Sequence, residues 1–304
     1  MSKGDGIVFT SSQPVVVQGV PVTQAMDRGI EWTSGIAGLY VRQKLEPLEL
    51  LTGLETKNKY NIVQIPAGQV LPAKPDSDTM APFREMANHN ALLKAREQSE
   101  CMERMCCPLF RGFEMQFTDA SGTNFFSVKR PFKCDPCYAP PICSCTTQEL
   151  SIHDKSGALV AKAEEKGGCC TSCCTRTFSL TDGSGNEMYT LEASECCTST
   201  GGNNCCAPTC FNSAYEVVLL ENGTPVSGGS QWFVWPGCNC AGLAADLTNM
   251  MIKFPEDAPP EKRAAILAGM MLIEYAVQEK KRQDQKDNGG GGGGAPPKAE
   301  TIER

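Results

Sequence analysis

Through the middle of the chain, apolar and polar residues alternate in short runs, and each run ends in an acidic turn closed by glycine. Phe113, Met115 and Phe117 lead into Asp119-Ala120-Ser121-Gly122. Leu150 and Ile152 lead into Asp154-Lys155-Ser156-Gly157, and Phe178 and Leu180 into Asp182-Gly183-Ser184-Gly185. Tyr215, Val217 and Leu219 lead into Glu221-Asn222-Gly223. A period of two marks a strand with one buried face, and glycine supplies the positive φ that a tight hairpin needs. The closing glycines are 35, 28 and 38 residues apart. This spacing predicts four hairpins in an antiparallel sheet or barrel. Upstream, residues 35–43, 48–53 and 58–63 also read as strands between turns. Residues 80–107 differ: Met80, Phe83, Met86, Ala87, Leu92, Leu93, Ala95 and Met102 recur near helical spacing among charges, which predicts a surface helix.

Residues 264–277 have a third texture, apolar on every side of a helix and broken only by Gly269 and Glu274. Pro259, Pro260 and Glu261 suit the helix start, and Lys280, Lys281 and Arg282 suit its end. A helix that is apolar all round is a membrane span or the centre of a core. A span takes about 20 apolar residues, and this run is shorter. Lys262 and Arg263 on one flank and the basic cluster on the other leave no charge asymmetry to orient a span. A closed sheet needs its interior filled. The fold class expected is therefore mainly β, a closed antiparallel barrel around a central apolar C-terminal helix. Trp232 and Trp235 are expected to pack as core residues of a strand. The organisation expected is a flexible leader at 1–28, one domain at 29–280, and a disordered tail at 281–304 that carries six consecutive glycines.

Composition narrows the function. A net charge of −7 and a pI near 5.1 argue against nucleic acid as a partner. The N-terminal residues carry no secretory signal pattern, which predicts a cytosolic start. Only two histidines occur, His89 and His153, without a Ser/His/Asp or Cys/His grouping, and no phosphate-binding glycine loop follows a strand. The chain does not read as an enzyme. Eighteen cysteines stand out, and they are clustered. In a reducing compartment they are not expected to form disulfides. Three readings stay open: buried or free thiols, acylation sites, and metal ligands. Cys169-Cys170-x-x-Cys173-Cys174 and Cys205-Cys206-x-x-x-Cys210 have spacings compatible with zinc thiolate sites.

Four segments then carry a resemblance. Leu51-Thr52-Gly53-Leu54-Glu55-Thr56-Lys57-Asn58-Lys59-Tyr60 resembles the "LTGFETNNKY" segment of the phospholipid scramblase family. Arg130-Pro131-Phe132-Lys133-Cys134 resembles its "RPL-x-C" run, Ile252-Lys253-Phe254-Pro255-Glu256-Asp257 its "IxFPxD", and Leu272-Ile273-Glu274-Tyr275 its C-terminal helix. The resemblance implies a tubby-like closed barrel around the C-terminal helix, and ATP-independent movement of phospholipids between leaflets in response to calcium. It also implies attachment to the cytosolic face of a membrane, the plasma membrane first and otherwise a cytoplasmic location, with protein partners. Aligned on Phe254-Pro255, Asp246 and Asp257 match family aspartates, while Thr248 stands where the family has a second aspartate. With Asn249 they form the candidate calcium set; calcium takes 6–8 oxygen ligands, so this thinned set predicts weak binding. The family's acylated cysteine block corresponds to Cys134, Cys137, Cys143 and Cys145, interrupted here by Tyr138, Ala139, Pro140 and Pro141. Cys169, Cys170, Cys173 and Cys174 remain the zinc alternative. An alternative function on the same barrel is a non-catalytic scaffold that binds lipid or protein.

Overall fold

The computed structural model describes residues 29–44, 57–106, 110–133, 147–166, 175–194, 214–234 and 249–279. Thirteen strands form one sheet: β1 (Ile36–Lys44), β2 (Lys59–Pro66), β3 (Leu93–Gln98), β4 (Phe113–Thr118), β5 (Asn124–Arg130), β6 (Glu149–Asp154), β7 (Leu159–Glu165), β8 (Thr175–Asp182), β9 (Glu187–Ser194), β10 (Ala214–Glu221), β11 (Thr224–Pro225), β12 (Ser230–Val234) and β13 (Asn249–Lys253). The short β11 pairs only with β10. The other strands follow one another around a closed antiparallel ring, with β12 and β13 between β10 and β1, and β9 pairing back onto β10. The expected barrel is present.

All four expected hairpins form, three of them with the same turn. Asp119 Oδ1 accepts from the Ser121 and Thr123 amides at 2.8 and 2.9 Å, Asp154 Oδ1 from Ser156 and Ala158 at 2.9 and 3.0 Å, and Asp182 Oδ1 from Ser184 and Asn186 at 2.8 and 2.9 Å. Gly122, Gly157 and Gly185 take φ of 84, 87 and 88°. The aspartate serves the backbone, and only glycine adopts the last turn position at low cost. In the fourth hairpin, Asn222 and Gly223 both have positive φ, as a two-residue hairpin turn requires.

The stretch 80–107 corrects the expectation of a surface helix. It divides into α1 (Ala81–His89), β3 and α2 (Cys101–Cys106). Leu93, Ala95 and Glu97 are buried while Lys94, Arg96 and Gln98 are exposed, so period two governs here. The adjacent Leu92 and Leu93 imitate helical spacing. Met80, Phe83 and Ala87 lie against the outer wall, packed with Tyr40, Val63, Ile65, Trp232 and Met251. Trp232 is buried as expected, on the outer face; Trp235 lies outside the described residues.

The helix α3 (Pro260–Ile273) fills the barrel. Every residue from Arg263 to Ile273 is buried, and it packs chiefly on β6, β7, β8 and β9. No helix among the described residues is long and apolar enough to cross a membrane. Arg263 corrects the view of it as a flanking charge. It donates to the carbonyls of Thr33 and Ile36 at 2.6 and 2.8 Å and of Ala258 at 2.6 Å, fastening the start of α3 to the barrel mouth. A six-residue π segment, Glu274–Glu279, continues α3 at the other mouth.

The two mouths differ. At one, which holds the start of α3, the tight turns close the hairpins, and the long connection from β2 to β3, which carries α1, also leaves and returns there. At the other, where α3 ends, the connections from β1 to β2, β3 to β4, β5 to β6, β7 to β8, β9 to β10 and β12 to β13 leave and return.

Candidate functional site

The mouth where α3 ends is built from a change of chemistry at inward-facing positions. Along β3 the inward residues run Leu93, Ala95, Glu97; along β5, Phe126, Val128, Arg130; along β7, Ala161, Ala163, Glu165; along β8, Leu180, Phe178, Arg176. Each strand is apolar in the middle and ionic in this last layer. Arg111, between α2 and β4, joins it. The Arg111 Nε and Nη2 donate to the two Glu97 carboxylate oxygens at 2.7 and 3.2 Å, with both side chains fully buried. Ser99 Oγ and the Asn58 amide also donate to Glu97, at 2.6 and 3.2 Å. Burial works against the Glu97 charge most strongly, yet the adjacent Arg111 charge and these hydrogen bonds together hold its carboxyl below the ordinary glutamate value.

This layer grips the end of the central helix. The Tyr275 ring has the guanidinium groups of Arg111 and Arg130 at 5.5 and 5.4 Å from its centroid. Its hydroxyl accepts from Tyr60 at 3.3 Å and from Asn58 Nδ2 at 3.2 Å. Arg130 Nη2 donates to Gln148 Oε1 at 2.7 Å. Arg176 donates to the Ala276 carbonyl at 2.5 Å and pairs with Glu165 through Nε at 2.8 Å. A helix end leaves carbonyls without intrahelical partners, and cations suit that pole.

Beside this layer lies an open groove of about 830 Å³. It runs from the mouth onto the outer wall of β4, β5 and β6 and under α2. Its strand side carries Lys129 together with Glu114 and Glu149, with Arg130 buried behind them, and Glu100 and Glu103 lie on its α2 side, where Glu103 accepts from the Gly112 amide at 2.7 Å. Phe132 lies at its rim, 46% exposed, and Met102 of α2 is 71% exposed.

The sequence had flagged other residues. Asn249 opens β13 at this same mouth and is buried; its Nδ2 donates to the Val234 carbonyl at 3.2 Å and its Oδ1 has no partner among the described residues. Asp257 is exposed in the turn after Pro255 at the opposite mouth, where Arg263 donates to the neighbouring Glu256 carbonyl at 3.2 Å. The length of β13, about 13 Å over its four steps, separates Asn249 from that mouth, so Asn249 and Asp257 do not share one coordination sphere. Asp246 and Thr248 lie outside the described residues. Among the described residues no cluster of three or more histidine, cysteine or acidic side chains could hold a metal ion.

Cys134, Cys137, Cys143 and Cys145 lie outside the described residues, as do Cys169, Cys170, Cys173 and Cys174. The strand ends that bracket them are described. Residues 134–146 belong to the connection between β5 and β6, and 167–174 to that between β7 and β8. Residues 195–213 join β9 to β10, 235–248 join β12 to β13, and α2 lies in the connection from β3 to β4. All five connections start and finish at the mouth where α3 ends. They carry all eighteen cysteines of the chain. The ionic layer and this clustering were both missed in the sequence. The first was legible as charged residues continuing the inward parity of apolar strands. The second needed only the order of strands.

An antiparallel ring closed around an apolar helix defines the class, a helix-plugged β-barrel. The family model described as Scramblase matches residues 18–280, and the chain belongs to that family. It is 27% identical over 247 residues to Phospholipid scramblase 2 of Bos taurus, covering 81% of this chain and 70% of that protein. It is 25% identical to Phospholipid scramblase 1 of Homo sapiens over 247 residues, covering 81% of this chain and 64% of that one. A shorter match, 28% over 144 residues, joins it to Phospholipid scramblase family member 5 of Homo sapiens, 47% of this chain and 44% of that protein. No solved structure matches the chain.

Proposed function

We propose that this protein acts at a phospholipid membrane as a scramblase-like protein, attached at the cytosolic face of the plasma membrane, and moves phospholipids between leaflets without ATP. The family match over residues 18–280 carries this reading. The physical demand is a route that lowers the cost of moving a polar headgroup through hydrocarbon. The barrel interior is filled by α3, whose residues from Arg263 to Ile273 are all buried, so the route cannot run through it. The headgroup must travel over the outer wall or between copies of the chain.

The test is reconstitution of the purified full chain into vesicles of phosphatidylcholine and phosphatidylserine that carry a fluorescent lipid. The label in the outer leaflet is quenched chemically, with calcium or with chelator. The expected outcome is transfer above that of empty vesicles, raised by calcium. No transfer in either condition overturns the reading. The plugged barrel favours a second reading, a non-catalytic scaffold that binds lipid or protein at the same face. It predicts vesicle binding without transfer.

A further inference from the structure

We propose that Ser151 and His153 on the outer wall of β6 form an acyl-transfer dyad that hydrolyses short carboxylic esters in the groove under α2. Both side chains line that groove of about 830 Å³. Its size is within the range of small-ligand sites, roughly 300–1,000 Å³. The two residues are two apart on a strand, so they share a face. Ser151 Oγ lies 2.9 Å from His153 Nε2, and His153 Nδ1 lies 3.1 Å from the Gly157 carbonyl oxygen. A carbonyl only accepts, so the neutral ring carries its proton on Nδ1 and turns the Nε2 lone pair to Ser151. The Lys129 carbonyl, at 3.3 Å, is a longer alternative for the serine hydroxyl. A hydroxyl beside a base that a third group orients is the arrangement of an activated nucleophile. The third group is itself fixed. Gly157 closes the β6–β7 turn at φ 87°, and Asp154 Oδ1 accepts from the Ser156 and Ala158 amides on either side of it. In the sequence Ser151-x-His153 passes unnoticed, because the orienting group is a backbone carbonyl and not an acid.

The neighbours suit an oxyanion. Lys129 stands opposite Ser151 on β5, and Lys162 opposite it on β7. Lys162 is taken up by Glu149 and Glu164 at 2.8 and 2.9 Å. Among the described residues Lys129 pairs with Glu114 at 3.7 Å, and both are exposed. Such a pair is weak in water, so the Lys129 ammonium can turn to charge that develops beside Ser151. Glu149, two residues before Ser151 on the same face, is paired with Lys133 at 3.1 Å as well as with Lys162. Pro131 and Phe132 continue β5 past Lys129 and give the groove an apolar end for the acyl chain. In the first step Oγ bonds to the ester carbonyl carbon while Nε2 takes the hydroxyl proton. The tetrahedral intermediate then collapses, the carbon–oxygen bond to the alcohol breaks, and Nε2 returns the proton to the leaving oxygen. Water attacks the acyl-serine by the same route, giving the acid and the free hydroxyl. This chemistry is independent of lipid transfer.

The full chain is incubated with a fluorophosphonate probe, which bonds to an activated serine oxygen as fluoride leaves, and the labelled residue is read by mass spectrometry. Turnover of p-nitrophenyl butyrate is followed in parallel by release of p-nitrophenolate. Label is expected on Ser151, with ester turnover above that of Ser151→Ala, which also subtracts any background from the thiols. His153→Gln should lower both rates at least a hundredfold, since a general base contributes about 10²–10⁴. Lys129→Ala should lower turnover about tenfold, less than loss of a buried oxyanion donor because Lys129 is exposed. Lys129→Arg should keep most of it. His89→Gln, which removes the other histidine from the exposed side of α1, should match the parent. These side chains are all at least partly exposed, and a thermal melt checks that each variant folds. Absence of label on Ser151, parental turnover by Ser151→Ala or by His153→Gln, or label on Ser151 without turnover overturns the proposal.

Discussion

Two glycines show how the same deletion of a side chain serves different ends. A Cβ on Gly38 of β1 would stand 2.1 Å from the Ile252 carbonyl oxygen and 3.0 Å from the Lys253 Cα. Both are backbone atoms of β13, which closes the ring next to β1, so neither can yield without moving the ladder. A Cβ on Gly269 of α3 would stand 2.5 Å from Leu191 Cδ1 and 2.7 Å from Leu180 Cδ2. Those are methyl tips that can rotate, and alanine in a helix interior gains about 1 kcal/mol over glycine. Gly38→Ala should therefore cost about 2–3 kcal/mol, and Gly269→Ala should stay within about 1 kcal/mol of the parent. Urea unfolding checks the order, and a larger loss for Gly269→Ala would show that the helix sits more rigidly than the leucine tips suggest. Neither effect is legible in the sequence. Gly38 reads as one more small residue in a strand, and Gly269 as an interruption in an apolar helix. What each glycine touches depends on which strand closes the ring.

At the scale of elements, the hairpins and the central helix were legible because each repeats one local rule. Asp-x-Ser-Gly states its own turn, and residues 264–277 are apolar on all sides. The strand β3 was not legible, because Leu92 beside Leu93 fits a helical period as well as an alternating one, and only pairing with β2 and β4 decides between them. The ionic layer was hidden for a related reason. Glu97, Arg130, Glu165 and Arg176 look like polar strand ends until the closed ring turns them inward. There they bind the end of α3 to the wall, and the grip should depend on pH. Glu97 is held below the ordinary glutamate value of about 4.3. A depressed carboxylate contributes stability that is fully present above its unfolded value and is lost as pH falls through the lower folded one. The parent should lose stability as pH drops below about 4, and Glu97→Gln should show a shallower loss there. At neutral pH the substitution leaves Arg111 buried without its counter-charge, at a cost of about 3–5 kcal/mol. Thermal melts from pH 3 to 7 measure both, and parallel curves for parent and variant would deny Glu97 its part in acid sensitivity.

Over the whole molecule, the closed ring sorts the chain's chemistry by direction. The tight turns lie at one mouth together with the α1-bearing connection from β2 to β3, and the strands that bracket all eighteen cysteines end and restart at the other, where Met102 and Phe132 are exposed. Cys101 of α2 is a free, exposed thiol at this mouth. A lone acyl chain binds a membrane only marginally, and stable attachment takes two chains or a chain with a second signal. A mouth with several thiol-bearing connections can supply two or more chains at one place, so that all of them enter the same leaflet. Attachment through several thioesters makes a distinct prediction, because α3 is inside the barrel and no described helix is long enough to span. Neutral hydroxylamine, which cleaves thioesters, should move the chain from the membrane fraction to the supernatant without detergent. Replacing Cys134, Cys137, Cys143 and Cys145 together by serine should lower the membrane-bound fraction by at least half. Zinc held by Cys169, Cys170, Cys173 and Cys174 would instead survive hydroxylamine and appear as about one metal ion per chain in elemental analysis. A chain that stays on membranes after thioester cleavage, and leaves only with detergent, would mean that the outer wall or a segment outside the described residues holds it there, and acylation at this mouth would lose its support.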